Sequence, residues 1–200
     1  MVRGVSEKKQ HPNRMRTLPL GLAILCCLGC SPVASQSPTP SSAVAQQAPA
    51  GSATPLTQPA PTPTATDQTG APVNFATLYS KGPVLVYFYP KADTPGCTAQ
   101  ACSLRDSYQK LTDAGLTVVG VSTDDPASQK AFQAKYKLPF VLIPDPEGKV
   151  LKAFGVSTRM GMANREAFLI RDGQVVWHDS SASTDKQADD VLAQMATWKK

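Results

Sequence analysis

The stretch from Val84 to Cys102 constrains the fold more than any other. Val84-Leu85-Val86-Tyr87-Phe88-Tyr89 is an unbroken apolar run, rich in β-forming residues and too short for a membrane span. That is the pattern of a strand buried on both faces. Pro90 and the Thr94-Pro95-Gly96 turn end it. Beyond them Cys97, Ala101, Leu104, Tyr108 and Leu111 recur at three- and four-residue steps, which predicts a helix over 97–112. Cys97 thus stands where a strand–loop–helix unit opens its helix. The free N–H groups and the dipole at that end favour negative charge, so Cys97 is the candidate reactive thiol.

The rest of the folded part supports an α/β architecture. Short strands are expected around 73–75, over 116–122 and 140–143, and in a hairpin with arms 167–170 and 175–177 turned by Arg171-Asp172-Gly173-Gln174. Helices are expected over 127–136, 150–154 and 184–198, the last with Ala188, Val191, Leu192 and Met195 on one face. Strands alternating with helices imply a central mixed sheet flanked by helices, here over residues 66–200. No internal repeat is visible.

The first 65 residues have another character. Residues 1–30 predict an export signal: a basic segment ends at Arg16, and Leu18 to Leu28 is apolar but short. A small residue before Cys30, in Cys27-Leu28-Gly29-Cys30, resembles a bacterial lipoprotein box with Cys30 as the lipidated residue. Ordinary cleavage near Val33-Ala34-Ser35 is the alternative. Residues 31–65 hold no charged or aromatic residue and are rich in Pro, Ala, Ser, Thr and Gln. Such a segment buries too little surface to offset its ordering entropy, so a disordered N-terminal extension is expected, a tether between membrane and domain. Of the formal net charge of +5, residues 1–29 supply four: Arg3, Lys8, Lys9, Arg14 and Arg16 against Glu7. The near-neutral remainder, with acidic and basic residues interleaved, argues against a nucleic-acid groove.

Outside the leader there are two cysteines, Cys97 and Cys102. Two cysteines five positions apart are no disulfide scaffold. On one helix five residues rise about 7.5 Å and turn about 140° past a full turn, which sets the Cα atoms roughly 8–9 Å apart. A disulfide tolerates less than about 7 Å. The two can bond only if the start of the helix unwinds. A stabilised, partly exposed thiolate is a nucleophile, and a second thiol nearby can resolve its sulfenic acid into a disulfide. Thr94 could set its hydroxyl beside the sulfur, and Pro90 and Pro95 stiffen the loop.

Phe88-Tyr89-Pro90-Lys91-Ala92-Asp93-Thr94-Pro95-Gly96-Cys97-Thr98, with Cys102 and Arg105-Asp106 after it, resembles the peroxiredoxins of the AhpC/TSA family, in particular the bacterioferritin comigratory or Q-type group. Pro90, Thr94 and Cys97 meet the Pro-x-x-x-Thr-x-x-Cys pattern. The likeness continues through Gly120-Val121-Ser122, Tyr136 to Phe140 and Arg165 to Ile170. The resemblance implies a thioredoxin-like fold and hydroperoxide reduction without metal or organic cofactor. It implies Cys97 as the peroxidatic and Cys102 as the resolving cysteine. Arg165 would face the sulfur from a neighbouring strand, and Thr94 would hydrogen-bond sulfur and peroxide. A thioredoxin-like dithiol would be the reductant. Behind an export signal that donor must itself reside in the envelope. An intramolecular disulfide needs no second subunit, so a monomer is expected.

Two other classes stay open. A lipid-anchored thiol–disulfide oxidoreductase would reduce disulfides without peroxide. A non-catalytic envelope module would carry a permanent Cys97–Cys102 bond, against the helix spacing. Arg105 is a surface residue or a helper near the site. His178 is expected as a solvated strand-end residue, and Trp177 and Trp198 as packing.

Overall fold

A computed structural model describes residues 53–54 and 57–199. The expected export signal, Cys30 and most of the linker lie outside the described residues. The strands are β1 (Ala53–Thr54), β2 (Gln58–Pro59), β3 (Thr64–Thr66), β4 (Pro72–Asn74), β5 (Val84–Phe88), β6 (Thr117–Ser122), β7 (Val141–Pro144), β8 (Thr158–Arg159), β9 (Met162–Ala163), β10 (Glu166–Arg171) and β11 (Gln174–Asp179). The helices are α1 (Phe75–Lys81), α2 (Pro95–Asp106), α3 (Tyr108–Asp113), α4 (Pro126–Tyr136), α5 (Lys149–Phe154) and α6 (Gln187–Ala196).

The main sheet runs β1-β11-β10-β5-β6-β7, with β2 also pairing with β11. Strands β5, β6 and β7 are parallel; β10 pairs antiparallel with β5, and β11 antiparallel with β10. This is the expected mixed sheet. Its centre is β5, where Val84 to Tyr89 are all fully buried. Alternation along β5 splits the core in two. Leu85, Tyr87 and Tyr89 pack with residues of α2, α3, α4 and α6, among them Leu104, Leu111, Phe132 and Val191. Val84, Val86 and Phe88 pack with Phe75, Leu151 and Phe154 of α1 and α5. Gly120 lets the first layer close: a Cβ there would lie 2.8 Å from the Tyr87 ring and from Leu142.

Several expectations change. The 97–112 helix begins at Pro95 and breaks at Ser107, whose φ of −100° and ψ of 8° leave the helical region. The result is two helices, α2 and α3. Phe75 opens a helix, α1, instead of closing a strand, because the Asn74 side chain accepts from the Thr77 N–H and caps it. The hairpin of β8 and β9 was not expected. Ordered structure starts before residue 66: β2 pairs with β11, and Thr64–Thr66 pairs with Pro72–Asn74. Thr is good edge-strand material once a partner strand offers its hydrogen bonds, which composition alone does not reveal.

Candidate active site

Thr94 is the residue before α2, with extended φ and ψ of −94° and 152°, and Pro95 fills the first helical position, where no N–H is needed. The Thr94 hydroxyl donates to the Lys91 carbonyl at 2.9 Å and does not cap the helix. With no side-chain cap, the positive end of α2 stays open to an anion. The loop before it is held on both sides. Asp93 adopts a left-handed φ of 59°. Its carboxylate accepts from Lys135 Nζ at 2.7 and 2.8 Å and from the Tyr136 hydroxyl at 2.6 Å. The Ala92 N–H donates to Asp124 at 2.7 Å. Pro90 is half-buried between β5 and this loop.

Arg165, just before β10, comes down onto Cys97: its Nη2 lies 3.4 Å from the Cys97 sulfur. Gly96 leaves room for this approach: a Cβ there would sit 3.2 Å from the same Nη2. The other terminal nitrogen of Arg165 donates to the Gln100 side-chain oxygen. Gln100 Nε2 in turn donates to Gln187 Oε1 at 2.7 Å, and both glutamines are fully buried. Cys97 and Cys102 are free thiols on an intact helix.

The expected partly exposed Cys97 is in fact 1% accessible and belongs to the core, while Cys102 is the more open of the two. Packing of α2 on β5 buries the first-turn face that carries Cys97. A fixed cation beside a sulfur screened from bulk water acts more strongly than in water. Beneath them lies Tyr87. Burial pushes its phenol well above the ordinary range, and Tyr89, Cys97 and Cys102 add to that push. Tyr87 therefore stays a neutral O–H group close to both sulfurs, and its hydroxyl has no partner among the described residues.

Cys97, Arg165, Thr94 and Pro90 gather at one end of the sheet, with Cys102 further along α2. Arg105 stands at the far end of α2, bonded to Asp106 and, at 2.9 Å, to the Tyr136 carbonyl. His178 differs from the solvated residue expected: it stacks on Phe168 at 4.1 Å and bonds Glu166 at 2.8 Å. Trp177 is buried, as expected of a packing residue. Gln100 escaped sequence reasoning. Its signal was a polar residue on the apolar face of α2, between Cys97 and Leu104. Gln187 gave no signal, since nothing local ties it to α2. Among the described residues no three His, Cys, Asp or Glu side chains converge to hold a metal.

The central mixed sheet flanked by helices is a thioredoxin-like fold. Residues 56–178 match the AhpC/TSA family model, and the chain belongs to that family. Within it the chain is similar to peroxiredoxin Q proteins. The chloroplastic peroxiredoxin Q of Sedum lineare is 42% identical over 137 residues, covering 66% of this chain and 73% of that protein. That of Arabidopsis thaliana is 42% identical over 139 residues, covering 68% of this chain and 64% of its own length. Among solved structures, peroxidoxin BcpB from Mycobacterium tuberculosis superposes with a TM-score of 0.66 at 33% identity, over 72% of this chain and 97% of that one. Peroxiredoxin Q from Xanthomonas campestris gives 0.63 at 28% identity, over 68% and 91%.

Proposed function

We propose that the chain is a thiol-dependent peroxidase for hydrogen peroxide and organic hydroperoxides. The observation that carries this is Arg165 Nη2 at 3.4 Å from the Cys97 sulfur at the uncapped start of α2. The Cys97 thiolate attacks one peroxide oxygen. The O–O bond breaks, Cys97 becomes the sulfenic acid, and the other oxygen leaves and is protonated to water or alcohol. Arg165 stabilises the charge that moves from sulfur to the leaving oxygen. The Thr94 proton is committed to Lys91, so its oxygen is left to accept from the peroxide O–H. Pro90 shapes the loop over the sulfur.

The Cys102 thiolate then attacks the Cys97 sulfur and expels hydroxide, which leaves as water, and the disulfide forms. The first turns of α2 unwind for this step. A thioredoxin-like dithiol reduces the disulfide by exchange and is itself oxidised. The cycle uses one chain, consistent with a monomer. Residues 1–30 serve as an export signal with Cys30 lipidated, and the linker tethers the domain in the envelope. Mass spectrometry of the mature N-terminus tests this last point: an unmodified start at Gln36 would exclude the anchor.

The activity is tested by peroxide consumption with a dithiol donor. Cys97→Ser should abolish turnover. In Cys102→Ser one equivalent of peroxide should add one oxygen, where the wild type loses two hydrogens. Full activity in Cys97→Ser would refute the mechanism. Insulin reduction without peroxide turnover would identify a thiol–disulfide oxidoreductase instead.

A further inference from the structure

We infer that Gln187, at the start of α6, is a positioning residue for the peroxide-reducing step. Acting through Gln100, it holds Arg165 against Cys97. The inference rests on the peroxidase reading above and extends the site to the C-terminal helix.

The segment before and into α6 grips the site at several points. The Ala182 N–H donates to the Arg165 carbonyl at 3.2 Å. A Cβ on Gly96 would lie 3.5 Å from the Thr184 methyl, so Thr184 covers the first turn of α2. The Ala188 N–H donates to Ser103 Oγ at 3.3 Å. Between these anchors Gln187 Oε1 accepts from Gln100 Nε2 at 2.7 Å. That bond orients the Gln100 amide, nitrogen toward α6 and oxygen toward Arg165. In the opposite orientation an amide N–H₂ would face the guanidinium, two donors with no acceptor.

Gln187 Nε2 is buried and has no partner among the described residues. A side chain kept for stability alone would not leave half its amide unsatisfied, because a buried unpaired donor costs more than an apolar group of the same shape. What the residue provides is an acceptor aimed at Gln100.

Gln100 lies between Cys97 and Cys102, in the part of α2 that unwinds when they bond. The Gln100–Gln187 bond must then break on oxidation and re-form on reduction. Gln187 thus acts in opposite directions on two steps. It speeds peroxide attack by fixing Arg165, and it slows disulfide formation by holding α2 wound.

The test uses the full chain and hydrogen peroxide. Competition with a second peroxidase gives the rate constant of Cys97 oxidation. Rapid quenching, alkylation and intact mass give the rate of disulfide formation. Gln187→Leu should slow the first step by about 10- to 100-fold, the scale expected when a charged catalytic group is mispositioned. It should leave disulfide formation equally fast or faster, and it should not lower Tm. Gln187→Glu keeps an acceptor oxygen and removes the unpaired amide, and should restore the first step. A Gln187→Leu rate within twofold of wild type would overturn the inference. So would parallel loss of both steps together with a lower Tm, the mark of a merely structural role. A wild-type chain that consumes no peroxide would instead defeat the peroxidase reading itself.

Discussion

Under α1 and α5 the sheet presents Val84, Val86, Phe88, Val119, Val121 and Ile143 to Phe75, Leu151 and Phe154, with the Phe88, Phe154 and Phe168 rings 5.3–5.7 Å apart. Under α2, α4 and α6 it presents Leu85 and two stacked tyrosines, Tyr87 and Tyr89, to Cys97, and glutamines 100, 129 and 187 are buried on the same side. Polar groups near the first face are matched: Asp145 accepts from the Lys149 and Leu151 N–H groups, and Glu166 meets His178. On the second face three buried polar atoms lack partners among the described residues: Tyr87 Oη, Thr98 Oγ1 and Gln187 Nε2. All three belong to α2 or to the strand and helix that pack against it. Each such orphan costs about 1–3 kcal/mol. One face carries stability. The other spends part of it around α2.

The largest test of that division is Phe75→Ala. Phe75 is 1% exposed and packs against Tyr79 and Phe154. Its loss should cost about 3–5 kcal/mol in urea unfolding, the range for deleting a buried ring. The rate of Cys97 oxidation in the folded protein should stay at the wild-type value. A matching fall in that rate would show that the two faces are not separable.

Arg165→Met probes the opposite face. Removing the guanidinium should lower the rate of Cys97 oxidation by about 10²–10³-fold, as loss of one preorganised charge-stabilising donor does elsewhere. Unfolding free energy should move less than in Phe75→Ala. A variant that unfolds early yet oxidises normally would reverse the assignment.

The smallest effect concerns the Asp93 tie. The hydrogen bond from Lys135, followed by that from Tyr136, holds the Asp93 carboxyl below its ordinary value of 3.8. A depressed value means that the tie stabilises the folded chain fully above pH 3.8 and is lost as pH falls through the folded-state value. The Tm difference between wild type and Asp93→Asn should therefore be flat near neutrality and shrink in acid. A difference independent of pH would remove any electrostatic role for this contact.

Much of the fold was legible because its signals are local. The buried run at β5, the turn chemistry at Thr94-Pro95-Gly96 and the Asp172-Gly173 hairpin each declare themselves within a few residues. The short helix α1, the hairpin of β8 and β9 and the edge strands near residue 60 were not legible. All are short: partner strands stabilise the hairpin and the edge strands, and the Asn74 cap and burial against the sheet stabilise α1. His178 shows the same limit, since nothing near it in sequence announces that β10 would bring Glu166 and Phe168 alongside.

The site divides along the same line. By itself the sequence determined that Cys97 would open a helix after a buried strand, that Cys102 could not reach it on an intact helix, and that the motif is of the peroxiredoxin kind. Helix periodicity and chain geometry act within about two turns, so one stretch is enough. The family resemblance already named Arg165 as facing the sulfur; tertiary structure alone decided that its guanidinium would pass beside Gly96, that Gln100 and Gln187 would meet across 87 positions of chain, and that Cys97 would be buried. Those contacts depend on how α2, β10 and α6 pack on the sheet, and no local pattern encodes the relative placement of distant elements.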